Sequence, residues 1–368
     1  MLNENILKND EKAVYSLRSL YRRFGYSRFK MSKFEEYDLY VRNKDFLISD
    51  GIITFTDTNG RLLALKPDVT LSIIKNAPDV KGHIEKLYYN ENVYRISKDS
   101  HSFREITQTG LECIGDIGIY DICEVLYLAV KSLESIDENY IVDIAHAGLV
   151  SALINACNLS ENVKASVLES IQNKSIDEIT FLFQKGNITQ AAYDIISKLI
   201  STYKSRAEVF DAFNGTDESV QKELNEFLSI CSAAEELELM GKLRIDFSIV
   251  NNTSYYSGLV FKGYISGIPT SVLSGGQYDK LMKKMGKRSG AVGFAVYLDA
   301  LERHGNAQLD YDYDFVILKD TSCPSAQIIR TVESLSANGF SVIVLNELDS
   351  SIRYKTLMKL TKNGLEGA

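Results

Sequence analysis

Proline is scarce: four residues in 368, far below the ~5% of an average chain. With 21 tyrosines and 16 phenylalanines beside it, that scarcity suits long helices and regular sheets better than a loop-rich scaffold. Cysteine pairs at metal or redox spacing are also missing. The five cysteines, at 113, 123, 157, 231 and 323, are odd in number and form no CxxC, which argues for free thiols and against a zinc site or a disulfide frame. The four histidines make no HxxxH pair. Neither a P-loop pattern nor GxGxxG occurs, so a mononucleotide or dinucleotide fold of those kinds is not expected. HExxH and GxSxG are absent too, leaving the corresponding hydrolases without support. No apolar run approaches the ~20 residues of a membrane span, and MLNENILKND at the start has no signal-peptide core. A cytoplasmic protein is the expectation. A basic excess is lacking as well: 41 Lys+Arg against 49 Asp+Glu leave −8, which lowers the prospect of nucleic-acid binding.

What is present is an ordinary globular composition, 45% hydrophobic and 24% charged, in a chain long enough for a large core. Val14, Leu17, Leu20, Tyr21 and Phe24 fall at helical spacing, and Gly25 follows as a stop. Two apolar runs in 51–66 flank Asn59-Gly60, a strong hairpin signal, and a short helix is expected over 69–77. Residues 86–97 and 103–115 read as strands, 119–136 as an amphipathic helix, 139–145 as a strand and 147–157 as a helix. From 160 to 240 the apolar spacing is helical throughout, interrupted at Gly186 and Gly215, which predicts an all-helical insertion. Strands return at 243, and Ser274-Gly275-Gly276-Gln277-Tyr278-Asp279 reads as a tight turn into a helix. Residues 290–302 read as a strand entering a helix, and 309–368 as a β-α-β piece.

One strand bears an unusual stripe. Positions 104, 106, 108, 110, 112 and 114 share a face and read Arg, Ile, Gln, Gly, Glu, Ile. A water-facing strand would account for Arg104, Gln108 and Glu112, and so would a sheet floor offering hydrogen bonds to a small polar ligand.

Five collinear segments go further. Gly60–Thr70, GRLLALKPDVT, resembles the "GR.LaLRPD.T" segment of histidyl-tRNA synthetases. Val93-Tyr94-Arg95 with 103–112, FREITQTGLE, is similar to motif 2 of that class II family. Tyr255–Phe261 resembles "YYTG.vFe", Gly275–Leu281 resembles "GGRYDgL", and Val292–Ala295 opens motif 3. The resemblance spans about 10–305. It implies an α+β fold: a six- or seven-stranded antiparallel class II synthetase-like sheet flanked by helices. The core would run over 1–308 with the helical insertion at about 160–240, followed by a short α/β segment at 309–368.

The departures form a pattern. In the synthetases an arginine shortly before the paired tyrosines binds the aminoacyl phosphate; the matching position here is Asn251. Ala300 replaces the motif 3 arginine that holds the ATP triphosphate, and Ile106 the aromatic that stacks on adenine. Ser97, Gln277 and Ser32 stand where the motifs have Glu, Arg and Pro. Each lost transition-state contact is worth ~2.7–4 kcal/mol, so adenylate formation is not expected. The amino-acid side is retained. Asp68, Thr70 and Gln108 match positions that hold the ammonium and carboxylate of histidine, while Glu112, Tyr255 and Tyr256 match positions around the imidazole, with Arg95 on a neighbouring strand.

A kept pocket with lost ATP contacts is similar to the regulatory subunits of ATP phosphoribosyltransferase, which act at the first step of histidine biosynthesis. The resemblance implies a non-catalytic chain without cofactor or metal, the short catalytic subunit as partner, and histidine as effector. It also implies a homodimer through about 10–35 within a hetero-oligomer, and no tRNA. Over 310–368 there are 6 Lys+Arg and 8 Asp+Glu, a net −2 that suits no anticodon reader. The alternatives are a divergent active synthetase and a synthetase-like protein that binds another amino acid.

Overall fold

In a computed structural model of the chain, the first helical pattern forms α1 (Asn9–Arg23), which buries Ala13, Leu17 and Tyr21. Gly25, at φ +83°, takes the left-handed turn that ends it. The structure describes residues 8–44, 47, 51–97, 102–250, 255–301, 311–320 and 323–367. It divides into two compact units, Met1–His304 and Gly305–Ala368.

In the first unit, β1 (Ser27–Arg28) leads to β2 (Phe34–Glu36), α2 (Tyr37–Val41), β3 (Thr54–Thr56) and β4 (Leu62–Leu65). Strands β2, β4 and β3 make a small antiparallel sheet, with Gly60 at φ +79° in the expected hairpin turn. After Pro67 comes α3 (Thr70–Asn76). The two long strands β5 (Ile84–Ile96) and β6 (Phe103–Gly115) pair antiparallel along thirteen positions. Next are α4 (Ile119–Glu134), β7 (Tyr140–His146) and α5 (Ala147–Ala156).

The insertion consists of α6 (Glu161–Gln172), α7 (Ile176–Gln184), α8 (Gln190–Ile200), β8 (Thr202–Tyr203), α9 (Arg206–Phe213) and α10 (Glu218–Glu236). It is therefore not all-helical. Thr202 and Tyr203 pair with Asp246 and Ile245 of β9 (Leu243–Asp246), stitching the insertion to the edge of the main sheet. Strands β10 (Leu259–Ile265) and β11 (Leu273–Gln277), helix α11 (Asp279–Lys284), strand β12 (Gly290–Tyr297) and helix α12 (Leu298–Leu301) complete the unit.

Among the described residues the main sheet has nine strands, in the order β1-β5-β6-β12-β11-β10-β7-β9-β8. It is mixed: β1 runs parallel to β5 and β9 parallel to β7, and the other pairings are antiparallel. The six or seven strands expected are exceeded because two-residue edge strands carry no periodicity for the sequence to display. One face is dry. Leu111, Val142, Phe261 and Phe294 pack there in a cluster with Leu17 and Tyr21 of α1 and Val125, Leu128 and Ala129 of α4. The opposite face of β6, β12, β11 and β10 holds a cavity.

The second unit is a four-stranded sheet ordered β14-β13-β15-β16 with one helix, where β-α-β was expected. Strands β13 (Tyr313–Lys319), β14 (Val342–Leu345) and β15 (Tyr354–Thr361) are parallel, α13 is Ser325–Ala337, and β16 (Gly364–Gly367) adds an antiparallel edge.

Candidate functional site

The cavity has a volume of about 450 Å³, within the range of small-molecule sites. Its lining includes all seven residues picked out by the sequence: Asp68, Thr70, Arg95, Gln108, Glu112, Tyr255 and Tyr256. The polar stripe of β6 thus divides. Gln108 and Glu112 are buried in the cavity floor, whereas Arg104 is exposed and does not line it.

Glu112 is the most constrained of these groups. It is 2% exposed, accepts from Thr70 Oγ1 at 2.9 Å through Oε1, and accepts from the Tyr278 hydroxyl through Oε2. Burial pushes its carboxyl up to about 8, against the opposing pull of those two donors. Glycine makes room for it: a Cβ at Gly293 would collide with the Glu112 carboxylate. Gly276 does the same for Tyr256, whose ring a Cβ there would approach to 2.8 Å, and Gly110 for Tyr89. This corrects the reading of Gly275-Gly276. The pair lies within β11, not in a turn, because neighbouring strands and rings leave no space for side chains.

Asp68 has two roles. Its Oδ1 accepts from Leu71 N at 2.9 Å at the start of α3, and burial raises its carboxyl while Arg95 draws it down. Arg95 Nε donates to the Pro67 carbonyl at 3.0 Å. The segment before α3 is further tied to β5 by Lys66, fully buried, whose Nζ donates to Glu91 at 2.7 Å, and by Tyr94 N bonding to the Lys66 carbonyl. Tyr255 and Tyr256 meet edge to face at 4.7 Å, and Tyr278 lies 6.0 Å from Tyr255. Burial raises the hydroxyls of all three, so they act as neutral donors.

Sequence reasoning left out Tyr89, Tyr278, Tyr297 and Lys262, which also line the cavity. Tyr278 stood inside a quoted motif; the other three sit on strands, where tyrosine reads as ordinary β-propensity and a lone lysine as a solvated position. Of the departures, Ile106 is half-buried on β6 and Ala300 is in α12. Gln277 Nε2 donates to Asp279 at 2.7 Å. Asn251 lies outside the described residues. Asp299 in α12 accepts from Thr107 N at 2.9 Å.

This arrangement, a helix-flanked sheet with a polar pocket between motif 2 and motif 3 strands, defines a class II synthetase-like chain. The family described as Histidyl-tRNA synthetase matches residues 2–301. Curated relatives are more specific. An ATP phosphoribosyltransferase regulatory subunit of Oceanobacillus iheyensis is 25% identical over 98% of this chain and 89% of its own length. One from Clostridium botulinum is 30% identical over 82% of this chain and 74% of that one. Among solved structures, an ATP phosphoribosyltransferase regulatory subunit/histidyl-tRNA synthetase from Bacillus halodurans gives a TM-score of 0.76 at 22% identity, covering 95% of this chain and 93% of that one. A chain of the ATP phosphoribosyl transferase (HisG:HisZ) complex from Thermotoga maritima gives 0.62 at 22% identity, covering 81% and 97%. The chain belongs to the family of ATP phosphoribosyltransferase regulatory subunits, within the histidyl-tRNA synthetase fold.

Proposed function

We propose that this chain is a non-catalytic subunit that binds the short catalytic subunit of ATP phosphoribosyltransferase, activates it, and passes on histidine binding as feedback inhibition. The observation that supports this most is Glu112: a buried carboxyl held by Thr70 and Tyr278 at the base of a polar cavity. An imidazole entering there would offer a ring N–H or an imidazolium to this carboxyl, and Tyr256, which also lines the cavity, would supply a hydroxyl for its other nitrogen. Asp68, Gln108 and Arg95 supply polar groups for the rest of an amino acid.

The replacements at 106, 251 and 300 support a chain that does not make an adenylate. Regulation then requires linkage: histidine must bind one state of the complex better than another, with a coupling of ~1–3 kcal/mol. The chain acts in the cytoplasm as a homodimer through α1 and the strand after it, without tRNA, inside a larger hetero-oligomer. The test is to mix the chain with the short catalytic subunit and assay phosphoribosyl transfer. Co-purification and a rise in activity are expected; two proteins that elute apart, with unchanged activity, contradict the proposal.

A further inference from the structure

Lys262 stands in the middle of β10 with its side chain in the cavity wall. Among the described lining residues only it and Arg95 are cationic. Arg95 is engaged with the Pro67 carbonyl and faces Asp68. Lys262 is half-buried and makes no hydrogen bond or ion pair among the described residues. The carboxylates whose charge it feels are Asp143, its register partner on β7, and Asp246, and each already holds another cation. Asp143 receives both Nε and Nη2 of Arg244, at 2.6 and 2.8 Å, and Asp246 receives Lys174 at 2.5 Å and Ser248 at 2.6 Å. Burial draws the Lys262 ammonium below its ordinary range. An apolar side chain would fit a strand interior at less cost, so a partly desolvated ammonium with no hydrogen bond of its own leaves a place for an anion from outside the fold.

Its neighbours suit that role. Ser274 is its register partner on β11, and the Ser274 and Tyr297 hydroxyls share one hydrogen bond at 2.6 Å. Two hydroxyls joined by one bond leave one O–H free to donate into the cavity. The register also fixes the span to Glu112. Glu112 pairs with Gly293, Gly293 with Gly276 and Gly276 with Val260, and Lys262 is two residues further along. At ~4.8 Å per strand and ~3.4 Å per residue, the two backbone positions are about 16 Å apart. A single small zwitterion bridges that distance once both side chains lean inward.

We propose that Lys262, with the free hydroxyl of the Ser274–Tyr297 pair, is the carboxylate-binding end of this pocket. The site thereby selects a free amino acid over its decarboxylated or amidated forms. This rests on the reading of the other end as an imidazole site.

Calorimetric titration of the full chain with histidine, histamine, imidazolepropionate and AMP tests it. Histidine should bind at least about tenfold tighter than histamine, which has no carboxylate, and imidazolepropionate should retain part of that advantage. Lys262→Met should remove the preference by weakening histidine and leaving histamine alone, and Lys262→Arg should keep most of it. Equal binding of histidine and histamine to the unaltered chain overturns the assignment without any variant. So does a Lys262→Met chain in which histidine and histamine weaken by the same factor, or one in which AMP binding falls while histidine binding does not. If neither imidazole compound binds the unaltered chain, the imidazole reading fails first and this one with it.

Discussion

Glu112 links the pocket to stability. In the folded, ligand-free chain its carboxyl is pushed up to about 8 from an ordinary 4.5, so the fold holds this proton more tightly than the unfolded chain does. The stabilisation is full below about pH 4.5 and is lost as pH rises through about 8. Each pH step of one between those limits removes ~1.4 kcal/mol. Glu112→Gln keeps the shape and cannot ionise. Its melting temperature should match the unaltered chain in acid and exceed it near pH ~9. Thermal unfolding at the two ends of the range checks this, and a variant less stable than the unaltered chain at both ends contradicts it. Glu112 was visible in the sequence because it repeats at period two with Arg104 and Gln108 along one face of a strand and matches a motif position. Tyr278 and Tyr89 were not, since a tyrosine at a strand or its end looks the same whether it lines a cavity or simply packs.

At the scale of elements, the hairpin at Asn59-Gly60, the β5–β6 pair and the helices of the insertion were legible, each with its own period or turn residue. What misled was a local signal with a distant cause. Gly275 and Gly276 look like a turn, yet their lack of side chains serves Phe294 across one strand and Tyr256 beside another. Two-residue strands such as β8 have no pattern at all and exist because a partner edge is present. Gly293 offers the sharpest test of the glycine floor. Gly293→Ala places a methyl on the Glu112 carboxylate and 2.5 Å from the Leu111 carbonyl. The expected cost is ~1–3 kcal/mol of stability, measured by denaturant unfolding, with histidine binding lost altogether. Unchanged histidine affinity in this variant would mean that Glu112 does not shape the site.

For the whole molecule, the acidic balance of −8 agrees with the proposal that this chain, with the architecture of a tRNA-charging family, neither holds tRNA nor makes an adenylate. Two outcomes follow. With histidine and ATP the chain should show no pyrophosphate exchange above background, whereas clear turnover would restore the synthetase reading. Light scattering of the isolated chain should give twice the 41.3 kDa of one copy. A monomer would remove α1 from the proposed dimer interface.

The central claim is that the Glu112 pocket receives histidine and reports it to a catalytic partner. Histidine inhibition curves for the complex reconstituted with the unaltered chain and with Glu112→Ala measure this most directly. The account predicts that the variant complex needs at least about tenfold more histidine for half-inhibition, as loss of a buried hydrogen-bonded partner implies. Superimposable curves would contradict it and place the effector site elsewhere.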